Sequence, residues 1–131
     1  MSVALLFITH EGIASNLLSI GESIIQKPNS NIAINEVPMD ASVDSVIADA
    51  DKSLDNLDTD EGILFITDIY GSTPSNIALK LARKYSTQLL SGVNLPMVIR
   101  LLGYRDLPLT ALIEKAIKGA TQGIHHEDTC Q

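Results

Sequence analysis

The chain has 131 residues, 9 Lys plus Arg against 16 Asp plus Glu, and a formal charge of -7. With 45% hydrophobic residues it reads as one domain, residues 1–131, able to bury about 65 to 70% of its unfolded surface without disulfides. The acidic balance excludes a nucleic-acid surface, which needs clustered Lys and Arg, and it equally disfavours anionic membranes.

Met1 and Ser2 lead directly into the apolar run Val3 to Ile8. A targeting segment would begin with basic residues and carry about 7 to 15 apolar ones, so this run reads as a buried strand. Nowhere does an apolar stretch approach the roughly 18 residues of a membrane span. The expectation is a cytoplasmic protein with no direct membrane insertion.

Ile13, Leu17, Leu18, Ile20, Ile24 and Ile25 follow with helical spacing and form one broad apolar face, until Pro28, Asn29 and Ser30 break it. Asn31 to Val37 reads as a strand nearer the sheet edge, stopped by Pro38. Asp40 or Ser42 is placed to cap a second helix, in which Val43, Val46, Ile47, Ala50 and Leu54 recur at three and four residues. Gly62 to Thr67 is apolar without alternation, as in a central parallel strand covered on both sides.

Thr73 is expected to cap a third helix, with Pro74 in its first turn and Ile77, Leu79, Leu81 and Ala82 continuing it. Gln88 to Leu90 forms a fourth strand, Ser91 to Asn94 a turn, and Leu95 to Leu102 and Leu109 to Ala120 two further helices. Thr121 to Ile124 is read as a short last strand, and residues 125–131 as a mobile tail. Alternating strands and helices define an α/β fold, a doubly wound, mostly parallel four-stranded sheet of order 2-1-3-4 flanked by helices.

Doubly wound sheets gather ligands beyond the carboxyl ends of their strands. The first strand ends at Thr9, His10, Glu11 and Gly12, and the third at Thr67, Asp68, Ile69, Tyr70, Gly71, Ser72, Thr73 and Pro74. If those strands are neighbours, His10 and Asp68 face each other across one crevice. A carboxylate accepting from one imidazole nitrogen fixes the tautomer and leaves the other nitrogen as nucleophile, which makes His10 a candidate phosphoryl acceptor. Helix starts near Gly12 and Thr73 are expected to offer backbone N–H groups to the anion, with Ser72, Thr73 and Ser75 as hydroxyl donors.

Other chemistries lack their residues. Neither G-x-x-x-x-G-K-S/T nor G-x-G-x-x-G is present, nor a G-x-S-x-G nucleophile elbow. His125 and His126 stand beside Glu127 and Asp128, but adjacent tail residues seldom converge on a metal. Cys130 is the sole cysteine. No metal and no cofactor is expected.

Three segments, Ile8-Thr9-His10, Thr67 to Asn76 and Ser91 to Met97, resemble the IIA component of the mannose family of the bacterial phosphoenolpyruvate-dependent sugar phosphotransferase system (PTS), and the resemblance spans essentially the full chain. It implies a phosphotransferase that works as a phosphohistidine carrier. Phosphate would reach His10 from the histidine phosphocarrier protein and pass to a IIB component of a sugar transporter. Asp68 matches the acid that orients the ring, and the turn at Gly71, Ser72 and Thr73, together with Thr9, matches the region that holds the phosphoryl group. The resemblance further implies a homodimer that exchanges C-terminal antiparallel strands, here near Gly123 and Ile124.

Two departures stand out. Glu11 intervenes between His10 and Gly12, where the family often has glycine directly after the histidine. A common Gly-Gly-Ser-Pro turn reads here Gly71-Ser72-Thr73-Pro74, leaving Ser72 or Thr73 for the hydroxyl role, with Thr73 preferred because it precedes the proline. A regulatory module whose partners change on phosphorylation is a second reading. The phosphocarrier subunit of a dihydroxyacetone kinase ranks lower, since that family more often has serine after its histidine.

Overall fold

The computed structural model describes residues 2–130; Met1 and Gln131, the last residue of the expected tail, lie outside them. Strands β1 (Ala4–His10), β2 (Ile32–Val37), β3 (Ile63–Ile66) and β4 (Gln88–Leu90) form one sheet in the order β2-β1-β3-β4. Every pairing is parallel. Helices α1 (Ile13–Ile25), α2 (Val43–Ser53), α3 (Thr73–Lys84), α4 (Leu95–Gly103) and α5 (Leu109–Gln122) make the connections and the C-terminal layer.

The side-chain period of two sorts β1 between two cores. Val3, Leu5 and Phe7 pack with Ala14 and Leu18 of α1, Val98 and Leu101 of α4, and Leu112 of α5. Ala4, Leu6 and Ile8 pack on the opposite face with Ala50 of α2 and Ile77 and Leu81 of α3. That double coverage explains why β1 and β3 read as unbroken apolar runs. On the first face α1 and α4 approach closely at Gly21, where a Cβ would meet Val98 Cγ1 at 2.8 Å.

β1 runs two residues beyond the apolar stretch, because Thr9 and His10 pair with Glu36 and Val37 of β2. Ser42 caps α2, accepting a hydrogen bond from the Ser45 N–H at 3.4 Å. The α3 cap differs from expectation by one residue. Ser72, in extended conformation, holds the cap position, and Thr73 is the first helical residue. The Asn76 N–H donates to the Ser72 carbonyl at 2.9 Å and so closes the first turn there.

The strand expected at 121–124 is not formed, since Thr121 and Gln122 complete α5. Thr121 Oγ1 donates to the Ile117 carbonyl at 2.8 Å, and the Gly123 N–H donates to the Gly119 carbonyl at 2.9 Å. Gly119 and Gly123 let this helix end close on α4, where a Cβ on Gly123 would collide with the Pro96 ring. Residues 124–128 carry no helix or strand and are exposed.

At the amino end of the sheet, Arg105 is buried, with no carboxylate among the described residues bonded to it. Its guanidinium donates to the Val3 carbonyl at 2.9 Å, the Ser30 carbonyl at 2.7 Å and Asn29 Oδ1 at 3.0 Å. The loop after α4 is thereby tied to the starts of β1 and β2. No helix among the described residues is long and apolar enough to cross a membrane.

Candidate active site

Because β1 and β3 are neighbours, their carboxyl ends bring His10 and Asp68 together. Asp68 Oδ2 accepts from the His10 backbone N–H at 3.0 Å and lies 2.8 Å from His10 Nδ1. Its other oxygen accepts from the Ile69 N–H at 3.0 Å. Burial alone would push the Asp68 carboxyl up, but the bonds from the His10 backbone and ring and from Ile69 outweigh it and hold the group below its ordinary value of 3.8. An ionised carboxylate only accepts, so Nδ1 carries the hydrogen and the lone pair of the uncharged tautomer lies at Nε2.

The exposures match this division of labour. The His10 side chain is 34% exposed and that of Asp68 11%, so a reactant reaches the ring and not the carboxylate. The Gly92 N–H donates to the Asp68 carbonyl at 2.6 Å, and the Val93 N–H to the Thr67 carbonyl at 3.1 Å. Asn94 then caps α4 through the Met97 N–H at 3.0 Å. The Ser91 to Met97 segment thus fixes the backbone that carries Asp68.

The four other expected site residues divide. Thr73 borders a pocket of about 180 Å³ with His10, Val37, Pro38, Met39 and Pro74. Among the described residues no group bonds its hydroxyl, and as the first residue of α3 its N–H has no intrahelical acceptor. Ser72 Oγ instead donates to the Ile69 carbonyl at 2.6 Å. Gly71, at φ +90°, donates its N–H to Ser75 Oγ at 3.2 Å. These two shape the turn and leave Thr73 as the open donor.

Thr9 has a supporting place. It is fully buried, and its Oγ1 accepts from the Ala14 N–H at 3.2 Å while donating to the His10 carbonyl at 2.9 Å. The start of α1 departs further from expectation through Glu36, which sequence reasoning passed over. Glu36 Oε2 accepts from both the Ser15 N–H at 2.9 Å and Ser15 Oγ at 2.7 Å. Chiefly the Ser15 N–H, and against a smaller effect of burial, holds this carboxyl below its ordinary value of 4.5, with help from the Ser15 hydroxyl and the Gly12 backbone. The amino end of α1 therefore already holds a protein anion at Ser15, whereas the start of α3 holds none and borders the pocket with His10.

The signal for Glu36 lay in its phase. Ile32, Ile34 and Glu36 fall on one face of β2, so a carboxylate continues an apolar series. Glu11 is exposed beside His10. Met39, Ile69 and Tyr70 are 91%, 64% and 70% exposed around the site. Among the described residues no group of three or more His, Cys, Asp or Glu side chains is arranged to hold a metal ion. The tail places His125 Nε2 3.4 Å from Glu127 Oε1, both exposed.

Comparison with known proteins places the chain in a family. The family model EIIA-man, described as the PTS system fructose IIA component, matches residues 4–118. The PTS system mannose-specific EIIAB component of Escherichia coli (strain K12) is 28% identical over 127 residues, covering 95% of this chain and 39% of that protein. The chain thus spans well under half the length of that relative. Among solved structures, the mannose/sorbose specific IIA subunit from Enterococcus faecalis superposes with a TM-score of 0.85 at 19% identity, covering 98% and 96% of the two chains. The EIIA component from Streptococcus agalactiae gives 0.82 at 22% identity, covering 95% and 96%.

The chain belongs to the mannose-family IIA components of the phosphotransferase system, a family of phosphoryl carriers in sugar uptake.

Proposed function

We propose that His10 accepts a phosphoryl group from the histidine phosphocarrier protein and passes it to a IIB component of a mannose-family transporter. The reading rests on the 2.8 Å contact between His10 Nδ1 and Asp68. The Nε2 lone pair attacks phosphorus, the N–P bond to the donor histidine breaks, and the donor ring keeps the electron pair. The Nδ1 hydrogen stays on Asp68's side of the ring, where the carboxylate balances the charge of the phosphorylated imidazole. Thr73 supplies its hydroxyl and N–H to the equatorial oxygens, aided by the positive end of α3. Reversing these steps delivers the group to IIB, and the chain's residues need neither metal nor cofactor for them.

The exposed apolar side chains of Met39, Ile69 and Tyr70 support brief docking of two protein partners in turn. Exposed acids such as Glu11 and Asp40 suit basic rims on those partners and speed encounter. The carrier works in the cytoplasm as a homodimer, in which Ile124, 79% exposed, lies in the segment that meets the second copy. Incubation with phosphoenolpyruvate, the general phosphotransferase enzyme and the histidine phosphocarrier protein, followed by intact mass, tests the proposal. One acid-labile phosphate, lost in His10→Ala, is the expected result; full labelling of that variant would overturn it.

A further inference from the structure

His10 and the first residue of α1 are separated only by Glu11 and Gly12. A helix beginning that close to a phosphorylated side chain ordinarily offers its N–H groups to the anion. Here the donors of its second and third residues are taken. Thr9 Oγ1 accepts from Ala14, and Glu36 accepts from the Ser15 N–H and hydroxyl. Thr9 and Glu36 are paired residues of adjacent strands on the α1 face, whereas His10 and its pair Val37 border the pocket shared with Thr73.

We propose that Glu36 is a positioning residue for the phosphoryl group, seating a negative charge at the amino end of α1 so that this end attracts the group less than the α3 side does. The inference rests on His10 being the phosphorylated residue. A full negative charge already seated at α1 turns that helix from an attractive into a neutral or repulsive end. The phosphoryl group then has fewer protein donors than the two helix starts could supply together, and it stays readily transferable. Glu36 thus acts on the group's holding and release through α1, without touching phosphorus.

The test compares wild type with Glu36→Ala, which removes the carboxylate, and Glu36→Gln, which keeps an acceptor oxygen without the charge. Each protein is phosphorylated through the phosphotransferase chain and, separately, with phosphoramidate, which needs no partner protein. The readouts are the ³¹P chemical shift of phosphohistidine, its hydrolysis half-life, amide shifts of Ala14 and Ser15 on phosphorylation, and thermal stability. In Glu36→Ala the expected result is a half-life about threefold longer, an altered ³¹P shift, and a response of the α1 amides that wild type lacks. Glu36→Gln should lie between the two.

Unchanged phosphohistidine lifetime and ³¹P shift in both variants, with only thermal stability lowered, would overturn the proposal and leave Glu36 as a helix cap. If phosphoramidate labels wild-type His10 while the phosphotransferase chain does not, the carrier assignment fails, and the variants still decide the role of Glu36. If neither route labels His10, both fail.

Discussion

An Asp68→Asn change keeps the side-chain shape and removes the charge, so it isolates what the carboxylate does for the ring. A neutral amide bonds either tautomer and does not balance the phosphorylated imidazole, and charge-assisted bonds are about twice as strong as neutral ones. Phosphoryl uptake by this variant should slow about tenfold with the fold intact, and stopped-flow or quench measurement of labelling would show it. A rate equal to wild type would reduce Asp68 to a turn residue. Thr73→Val and Ser72→Ala separate the two neighbouring hydroxyls. The first should slow labelling several-fold, because the Thr73 hydroxyl is the open one, whereas the second removes a bond to the Ile69 carbonyl and should act mainly on stability.

The same carboxylates govern the response to acid. Asp68 and Glu36 lie below their ordinary values of 3.8 and 4.5. A depressed carboxyl stabilises the fold fully above its unfolded value, and that contribution disappears as pH falls through the folded value. Wild type should therefore lose stability on acidification below about pH 4.5. Urea midpoints across that window should fall less steeply in Asp68→Asn and Glu36→Gln than in wild type.

Among the elements, α1 depends on residues outside itself. Gly12, its cap residue at φ +84°, has no side chain to offer, so Thr9 and Glu36 of the strands supply the acceptors. Thr9→Val would leave the Ala14 N–H buried and unpaired, costing about 1 to 2 kcal/mol, readable as a lower urea midpoint. Packing sets the other limit on this helix. Ala for Gly within a helix gains up to about 1 kcal/mol, but at Gly21 its methyl would stand 2.8 Å from Val98 and 3.3 Å from Leu102. Both neighbours are fully buried and overpacking costs about 1 to 3 kcal/mol, so Gly21→Ala should destabilise.

Elements of this kind differ in how far the sequence discloses them. Gln88–Leu90 is bounded correctly by its apolar content and the turn residues after it. The end of β1 is not, because pairing of Thr9 and His10 with β2 is a fact of register that no local pattern carries. Thr121 to Ile124 reads as a short strand, yet α5 continues through Gln122 where Gly119 and Gly123 fit against α4. His10 and Asp68 were legible because strand ends in a doubly wound sheet converge. Glu36 was not, since its target is a helix start 21 positions away in sequence.

Taken whole, the molecule has its candidate site at one end of its sheet and a buried cation at the other. Arg105 holds carbonyls of Val3 and Ser30, 102 and 75 positions away, and burial pulls its guanidinium below its ordinary value. A buried charge held by neutral oxygens is secure only once those oxygens are in place. Contacts of such sequence separation close late, after the loops between them have given up their freedom. The clamp therefore belongs to the barrier against unfolding more than to the route into the fold. Arg105→Met should leave the refolding rate within about twofold of wild type while unfolding accelerates by about tenfold or more. A chevron plot in which the refolding arm moved instead would place the clamp in the folding nucleus. With unfolding alone accelerated, the protein owes its lifetime to a residue far from His10, a kinetic lock rather than a chemical part.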